Sequence, residues 1–343
     1  MRVLLTGAAG FIGSRVAAAL QAHGHDVVGI DALLPVAHPR GAAPPDTVVH
    51  ADLRDPDSWS ALLTGIDVVC HHAAMVGAGV DAADAAAYGA HNDHATTVLL
   101  SHMHEAGVRR LVLASSMVVY GQGAYRCPEH GAVDPAPRRR RDLDAGVFEH
   151  RCPIGGEALR WSLVGEEAPL RPRSLYAAGK TAQEHYALAW AEATGGSVTA
   201  LRYHNVYGPG MPRDTPYSGV AAIFRSALAA NRAPLVFEDG GQMRDFVHVD
   251  DVATANVVAV ERPLDGFVAV NICSGQPISI MEVAALLSRT TSGPAPRVTG
   301  QYRSGDIRHV VADPTRAADI LGFHATITPE SGLAEFAFAP QRD

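Results

Sequence analysis

Tyr176 and Lys180 stand four residues apart in Ser174-Leu175-Tyr176-Ala177-Ala178-Gly179-Lys180, sixty residues after the serine pair Ser115-Ser116. Residues i and i+4 share one face of a helix, so the phenol and the ammonium are neighbours wherever this stretch is helical. A nearby positive charge favours the phenolate. A phenol tuned in this way can take the proton of a secondary alcohol while a hydride leaves the same carbon. That chemistry needs a hydride acceptor and a scaffold to hold it.

The opening of the chain fits both needs. Arg2-Val3-Leu4-Leu5-Thr6 reads as a buried strand, Gly7-Ala8-Ala9-Gly10-Phe11-Ile12-Gly13 as a turn, and Ser14 to Ala22 as an apolar-periodic helix. Strand, glycine turn and helix form the context of a dinucleotide site. Gly7 permits the tight turn, Gly10 lets the backbone approach a pyrophosphate, and Gly13 allows close helix–strand packing. Unpaired N–H groups and the macrodipole at the helix start favour that anion. A second strand, Asp26-Val27-Val28-Gly29-Ile30, ends at Asp31, eighteen residues past Gly13. A carboxylate there accepts from ribose hydroxyls and repels a 2′-phosphate, which favours NAD over NADP.

Beyond these elements, strand-like runs at Val48–Ala51, Asp67–Cys70, Leu111–Ala114 and Val198–Arg202 alternate with helix-length segments near 90–106 and 176–194. This alternation predicts an α/β fold: a doubly wound, Rossmann-type parallel sheet covered on both faces, with right-handed crossovers. Ligand then sits at the carboxyl ends of the strands, where Gly7, Asp31, Ala73, Ser116 and Tyr203 fall. The expected division is a cofactor domain over 1–203 and a smaller mixed α/β substrate lobe over 204–343, with segments near 240–275 returning to the first domain. About 122–165 reads as an insertion, with little periodicity and a Pro/Arg cluster at Pro135–Arg141.

Composition narrows the classes. The 343 residues are 47% hydrophobic and 19% charged, as expected of a soluble globular protein, and the net charge of −8 argues against nucleic acid or an anionic membrane surface as partner. No signal-peptide pattern or transmembrane-length run is evident. Four scattered cysteines, Cys70, Cys127, Cys152 and Cys273, are too few for a disulfide framework and fit a reducing cytoplasm.

With Gly-x-x-Gly-x-x-Gly, Ser115-Ser116, Val119-Tyr120-Gly121 and Tyr-x-x-x-Lys assembled, the chain resembles the extended short-chain dehydrogenases, and more narrowly the NAD-dependent nucleotide-sugar epimerases of the UDP-galactose 4-epimerase type. The likeness continues through His72-Ala73-Ala74, Leu201–Pro209, Arg244–Asp251, Asn271–Gly275 and Arg303-Ser304-Gly305-Asp306. It implies cofactor contacts from Gly7, Gly10, Phe11, Ile12, Gly13, Asp31, Asp52, Leu53, Ala73, Ala74, Asn92 and Tyr203, besides Tyr176 and Lys180. It also implies Tyr176 as acid/base, Lys180 as the group lowering its pKa, and Ser116, rather than Ser115, as hydrogen-bond partner of the reacting oxygen. Asn205, Arg244 and Arg303 would hold the diphosphate and Asp306 the nucleotide ribose. His72 and His204 are assigned no proton transfer. A homodimer, built through helices such as those near Asn92 and Tyr176, is part of the same expectation.

The residues after Ser116 select among the reactions this fold hosts. The related 4,6-dehydratases carry Asp-Glu there, because loss of water needs a second acid/base pair. Met117 and Val118 cannot exchange protons. The reading is therefore a 4-epimerase of UDP- or dTDP-hexoses working through a transient 4-keto sugar with retained NAD. A 4-ketoreductase of a deoxy-sugar nucleotide and a non-catalytic NAD-sensing regulator are the alternatives.

The insertion holds Cys127-Pro128-Glu129-His130 and Cys152-Pro153-Ile154-Gly155. Two such knuckles hold zinc with four ligands, and the fourth position, 155, is glycine. Cys127, His130 and Cys152 are thus an incomplete set. They could hold a metal together with a water or an outside ligand, or be a degenerate knuckle that holds none; the preferred reading has no metal and a structural role for the insertion, packing a cover over the sugar site. The Arg138–Arg141 run, flanked by Asp134, Asp142 and Asp144, reads as a solvated face.

Overall fold

The computed structural model describes residues 1–35, 37–38, 42–77, 81–213, 219–303 and 305–342. Its first strands are β1 (Arg2–Thr6), β2 (Asp26–Asp31), β3 (Val48–His50), β4 (Val68–His71) and β5 (Arg110–Ser116). The insertion supplies β6 (Ala124–Cys127), β7 (Gly131–Val133) and β8 (Arg160–Ser162). Then follow β9 (Ser197–Tyr203), β10 (Asn205–Tyr207), β11 (Leu235–Val236), β12 (Met243–His248), β13 (Phe267–Ile272), β14 (Pro277–Ser279) and β15 (Arg297–Val298). The helices are α1 (Phe11–Ala22), α2 (Ala85–Tyr88), α3 (Ala95–Glu105), α4 (Arg140–Asp144), α5 (Leu175–Thr194), α6 (Val220–Ala229), α7 (Val249–Glu261), α8 (Ile280–Thr290) and α9 (Pro329–Phe336).

Seven strands form one parallel sheet in the order β13-β9-β5-β4-β1-β2-β3. Alternate residues of β1 explain the two layers. Val3 and Leu5 pack with Val16 and Leu20 of α1 and with Val252 and Ala255 of α7, while Leu4 packs with Leu99 and Met103 of α3 and Ala187 of α5. An apolar run is stable here because both faces are covered. The chain reverses direction across the sheet at β1, flanked by β2 and β4, and the ligand crevice of such a sheet lies at that point.

The second lobe is built on a three-stranded sheet, β10-β12-β14, with α6, α8 and α9 around Tyr207, Phe224, Phe246, Leu287 and Phe336. The segment expected to return from the lobe divides. β12 belongs to the lobe sheet, while α7 packs on α1 and β13 forms the edge of the large sheet. The insertion is more ordered than its composition suggests: β7-β6-β8 form an antiparallel sheet with Tyr125, Cys127, Cys152 and Leu159 beneath it. Its lack of periodicity reflects strands of three or four residues, too short to display alternation. Among the described residues, no helix is long and apolar enough to cross a membrane.

Candidate active site

A cavity of about 780 Å³ runs along the carboxyl edge of the large sheet. One end is the glycine turn. Gly7 has φ +68°, and a Cβ on it would meet the backbone N of Ala73 at 2.8 Å; a Cβ on Gly13 would overlap the carbonyl oxygen of Gly7. The loops after β1 and β4 can therefore close on each other only with glycine at position 7, and α1 can start against that turn only with glycine at position 13. Thr6 Oγ1 ties them, accepting from the N–H groups of His72 (3.1 Å) and Ala73 (3.0 Å). The start of α1 carries no acidic side chain, as an anion site requires.

Gly10, Phe11, Ile12, Asp52, Leu53, Ala73, Ala74 and Tyr203 line the same cavity. Asp31 lies at the end of β2, its carboxylate accepting from the N–H groups of Ala9 (3.0 Å) and Leu33 (2.8 Å). Asp52 is held by Arg54 at 2.6 Å, and that ion pair keeps its carboxyl below the usual range. Asn92 departs from the expected cofactor contact. It is fully buried outside the wall, and its amide exchanges hydrogen bonds with the N–H (2.7 Å) and C=O (3.0 Å) of Met75. It fixes the strand-end segment 73–75 rather than facing ligand.

At the other end stand Tyr176 and Lys180 on α5, whose start is capped by Ser174 accepting from Ala177 N–H at 3.1 Å and whose end is Gly195 in the left-handed region. The Tyr176 phenol is pushed up to about 12 by burial, drawn back by a hydrogen bond with Ser116, and pushed up further by Tyr88. Lys180 is lowered to about 8 by burial, against the pull of Glu184, and its Nζ donates to the carbonyl of Ala114 at 2.7 Å. The expected lowering of the phenol by Lys180 is thus not displayed by the chain alone. The ammonium is turned to a carbonyl, and desolvation outweighs its charge.

The two serines separate as well. Ser115 contributes to the wall and its hydroxyl donates to Glu184, whereas Ser116 lies outside the wall and is the serine that hydrogen-bonds with the tyrosine. Glu184 was not singled out from the sequence. It lies in a buried ion pair with Arg202 (2.7 Å), which also donates to Tyr120 (2.9 Å), whose hydroxyl donates to Asn271 (2.7 Å). This network joins α5, β5, β9 and β13 beneath the site. Arg342 was also missed: it lines the cavity, donates to Ala9 C=O at 2.7 Å, and lies 3.2 Å from His38 beside Asp31. No sequence signal marks an arginine more than three hundred residues away as a neighbour of the glycine turn.

The expected diphosphate ligands are dispersed. Asn205 lines the cavity, and its amide oxygen is buried without a protein partner. Arg303 also lines it, with its guanidinium 5.3 Å from the centre of the Phe237 ring. Arg244 does not reach the wall. Its guanidinium donates to the carbonyls of Met243, Ile307 and Arg308, and burial lowers it to about 10. Asp306 is exposed and outside the wall, and its carbonyl accepts from Arg138 at 2.7 Å. Ser304, between these residues, lies outside the described set. Arg138 departs from the solvated reading: it forms a buried pair with Glu238 at 2.7 Å, while Arg139 and Arg141 stay exposed beside Asp142.

The glycine cradle, Asp31 at the end of β2 and the anion-ready start of α1 all fit a dinucleotide. Comparison with known proteins agrees. The chain matches the NAD dependent epimerase/dehydratase family over residues 3–141 and 162–273, a match interrupted inside the insertion. It is 34% identical to a dTDP-L-rhamnose 4-epimerase of Burkholderia thailandensis, covering 97% of this chain and 93% of that one. A UDP-glucose 4-epimerase of Thermotoga maritima, solved with UDP-glucose, superposes with TM-score 0.80 at 27% identity, over 98% and 97% of the two chains. A UDP-glucose 4-epimerase of Thermus thermophilus in complex with NAD gives 0.76 at 28%, over 98% of each. The chain belongs to the NAD dependent epimerase/dehydratase family, and NAD is its cofactor.

Proposed function

We propose that the chain is a nucleotide-sugar 4-epimerase acting on UDP- or dTDP-linked hexoses through a transient 4-keto sugar. One observation carries this reading. Tyr176 stands in the wall of a cavity that begins at the dinucleotide turn and hydrogen-bonds with Ser116 behind it, and Met117, with no exchangeable proton, follows in that wall. A single acid/base centre suits oxidation and reduction at one carbon and leaves elimination of water without its second pair.

NAD, when bound, supplies the hydride acceptor and a positively charged ring that favours the phenolate. Tyr176 then takes the C4 hydroxyl proton and returns it after the sugar has turned over. Ser116 holds the oxygen through both half-reactions, and Lys180 holds the cofactor's ribose. The side-chain NH2 of Asn205 and the guanidinium of Arg303, both from the cavity wall, suit the sugar nucleotide's diphosphate side, keeping it anchored while the hexose rotates. Arg244 joins them only if its guanidinium leaves the three carbonyls that now hold it.

The test is incubation with UDP- and dTDP-hexoses without added cofactor, with chromatographic resolution of C4 epimers. Epimer formation at constant nicotinamide absorbance is the expected result. Stoichiometric oxidation of added NADH with a 4-keto substrate would instead identify a ketoreductase, and cofactor binding without turnover a regulator. We further infer a homodimer formed through α3 and α5, where Tyr186 and Leu188 are exposed on α5. Light-scattering mass checks it.

A further inference from the structure

The insertion brings together four side chains whose donor atoms all lie within 4.8 Å of one another: Cys127, His130, Cys152 and Glu157. Cys127 ends β6, His130 lies in the turn to β7, and Cys152 and Glu157 come from the loop before β8. Three separations are resolved: Cys127 Sγ to His130 Nδ1 at 3.3 Å, Cys152 Sγ to the same nitrogen at 3.5 Å, and Cys127 Sγ to Glu157 Oε2 at 3.6 Å. Zinc–sulfur bonds of about 2.3 Å and zinc–nitrogen or –oxygen bonds of about 2.0–2.1 Å, at tetrahedral angles, give ligand–ligand edges of roughly 3.5 Å. Those three separations match the edges of such a tetrahedron, and all four donor atoms lie within 4.8 Å of one another.

Two features distinguish this cluster from a chance meeting of polar groups. The backbone N–H groups two and three places on face each sulfur: those of Gly155 and Ile154 draw the Cys152 thiol down, and burial pushes the Cys127 thiol up against the opposing effect of those of His130 and Glu129. N–H groups aimed at a sulfur favour its thiolate, the form that binds metal. The glycine at 155, which makes the second knuckle look incomplete in sequence, is what admits the fourth ligand: a Cβ there would overlap the Glu157 carboxylate. The missing donor is supplied two residues later.

We propose that Cys127, His130, Cys152 and Glu157 form a closed structural zinc site. Binding releases one proton from each thiol. Two thiolates and the carboxylate then face the dication, with neutral His130 as fourth ligand. Soft sulfur with imidazole in tetrahedral array selects zinc over magnesium or calcium. A complete four-ligand set assigns the ion a structural role, clamping the β6–β7 turn to the loop before β8. From that sheet Tyr125 accepts the N–H of His309 at 3.0 Å, so the clamp steadies the 306–309 segment that follows Arg303.

The experiment uses the untagged full chain produced with zinc in the medium. Elemental analysis is expected to find about one zinc per chain, released by a mercurial thiol reagent. Cobalt exchanged into the wild-type chain is expected to show the strong visible bands of a tetrahedral ion and a near-ultraviolet thiolate charge-transfer band. Cys152→Ser abolishes both signals, Glu157→Ala shifts the cobalt bands and weakens retention, and the exposed Glu129→Gln changes neither. Zinc below about a tenth of an equivalent with no cobalt spectrum on the wild-type chain overturns the proposal. So does a thiol titration showing Cys127 joined to Cys152 as a disulfide. These readouts do not depend on turnover, so failure of the epimerase reading leaves the metal site standing, and the reverse.

Discussion

The two ends of this molecule are positioned by different means. At the sheet end the glycine turn, Asp31, Ser116 and Lys180 sit where backbone ladders and the i, i+4 spacing of one helix put them, and few side-chain choices were needed. The insertion is held by side chains that converge from far apart. Arg308 alone gathers Glu149, Glu238 and Asp239, and Arg138 shares Glu238 with it. A scaffold fixed by its backbone tolerates family divergence around it, whereas a cover fixed by side chains varies as a unit. The family match covers residues 3–141 and 162–273, and its gap falls inside the insertion.

Removing chemistry at the sheet end carries the largest effect. Tyr176→Phe, which keeps the packing against Tyr88 and removes the proposed proton carrier, is expected to lower kcat roughly 10²–10⁴-fold with NAD binding retained. Near-normal turnover of epimers in a stopped assay would sink the role given to it. Next comes the support beneath. Glu184→Gln leaves the Arg202 guanidinium buried without its counterion, at a cost of about 3–5 kcal/mol in urea unfolding. A loss under about 1 kcal/mol would show that the network is not what anchors α5 to β9.

Acid acts on both ends. Burial lowers His71 to about 3 at the sheet end and His150 to about 4 in the insertion. In the unfolded chain each titrates near its ordinary value of about 6.5 and so binds a proton that the folded chain refuses. Stability is therefore lost as pH falls from about 6.5 toward 4, by roughly 1.4 kcal/mol per unit for each such histidine. Urea midpoints at pH 7 and pH 5 measure it, and His150→Gln should reduce the slope by one proton. A flat profile would mean these rings are protonated in place.

The smallest effect tests the insertion. Arg138→Ala leaves Glu238 its second partner, Arg308, at 2.8 Å, so the loss is limited to roughly 1–2 kcal/mol. If it matched Glu184→Gln in size, the contrast between a shared and an unshared buried carboxylate would fail.

The sequence by itself determined the parallel sheet, the dinucleotide turn, the placing of Tyr176 and Lys180 on one helix, and side chains without exchangeable protons, Met117 and Val118, after Ser116. Those properties follow from local rules: side-chain period, glycine at turns, and one helix face carrying two functional groups. Tertiary structure alone decided the rest. It turned Arg244 onto carbonyls, moved Asn92 from ligand to scaffold, buried Arg138, brought Arg342 to the glycine turn, and filled the place left by Gly155 with Glu157. Each of these depends on which distant segments share space and on whether burial or a partner dominates a charge, and no spacing along the chain encodes that balance.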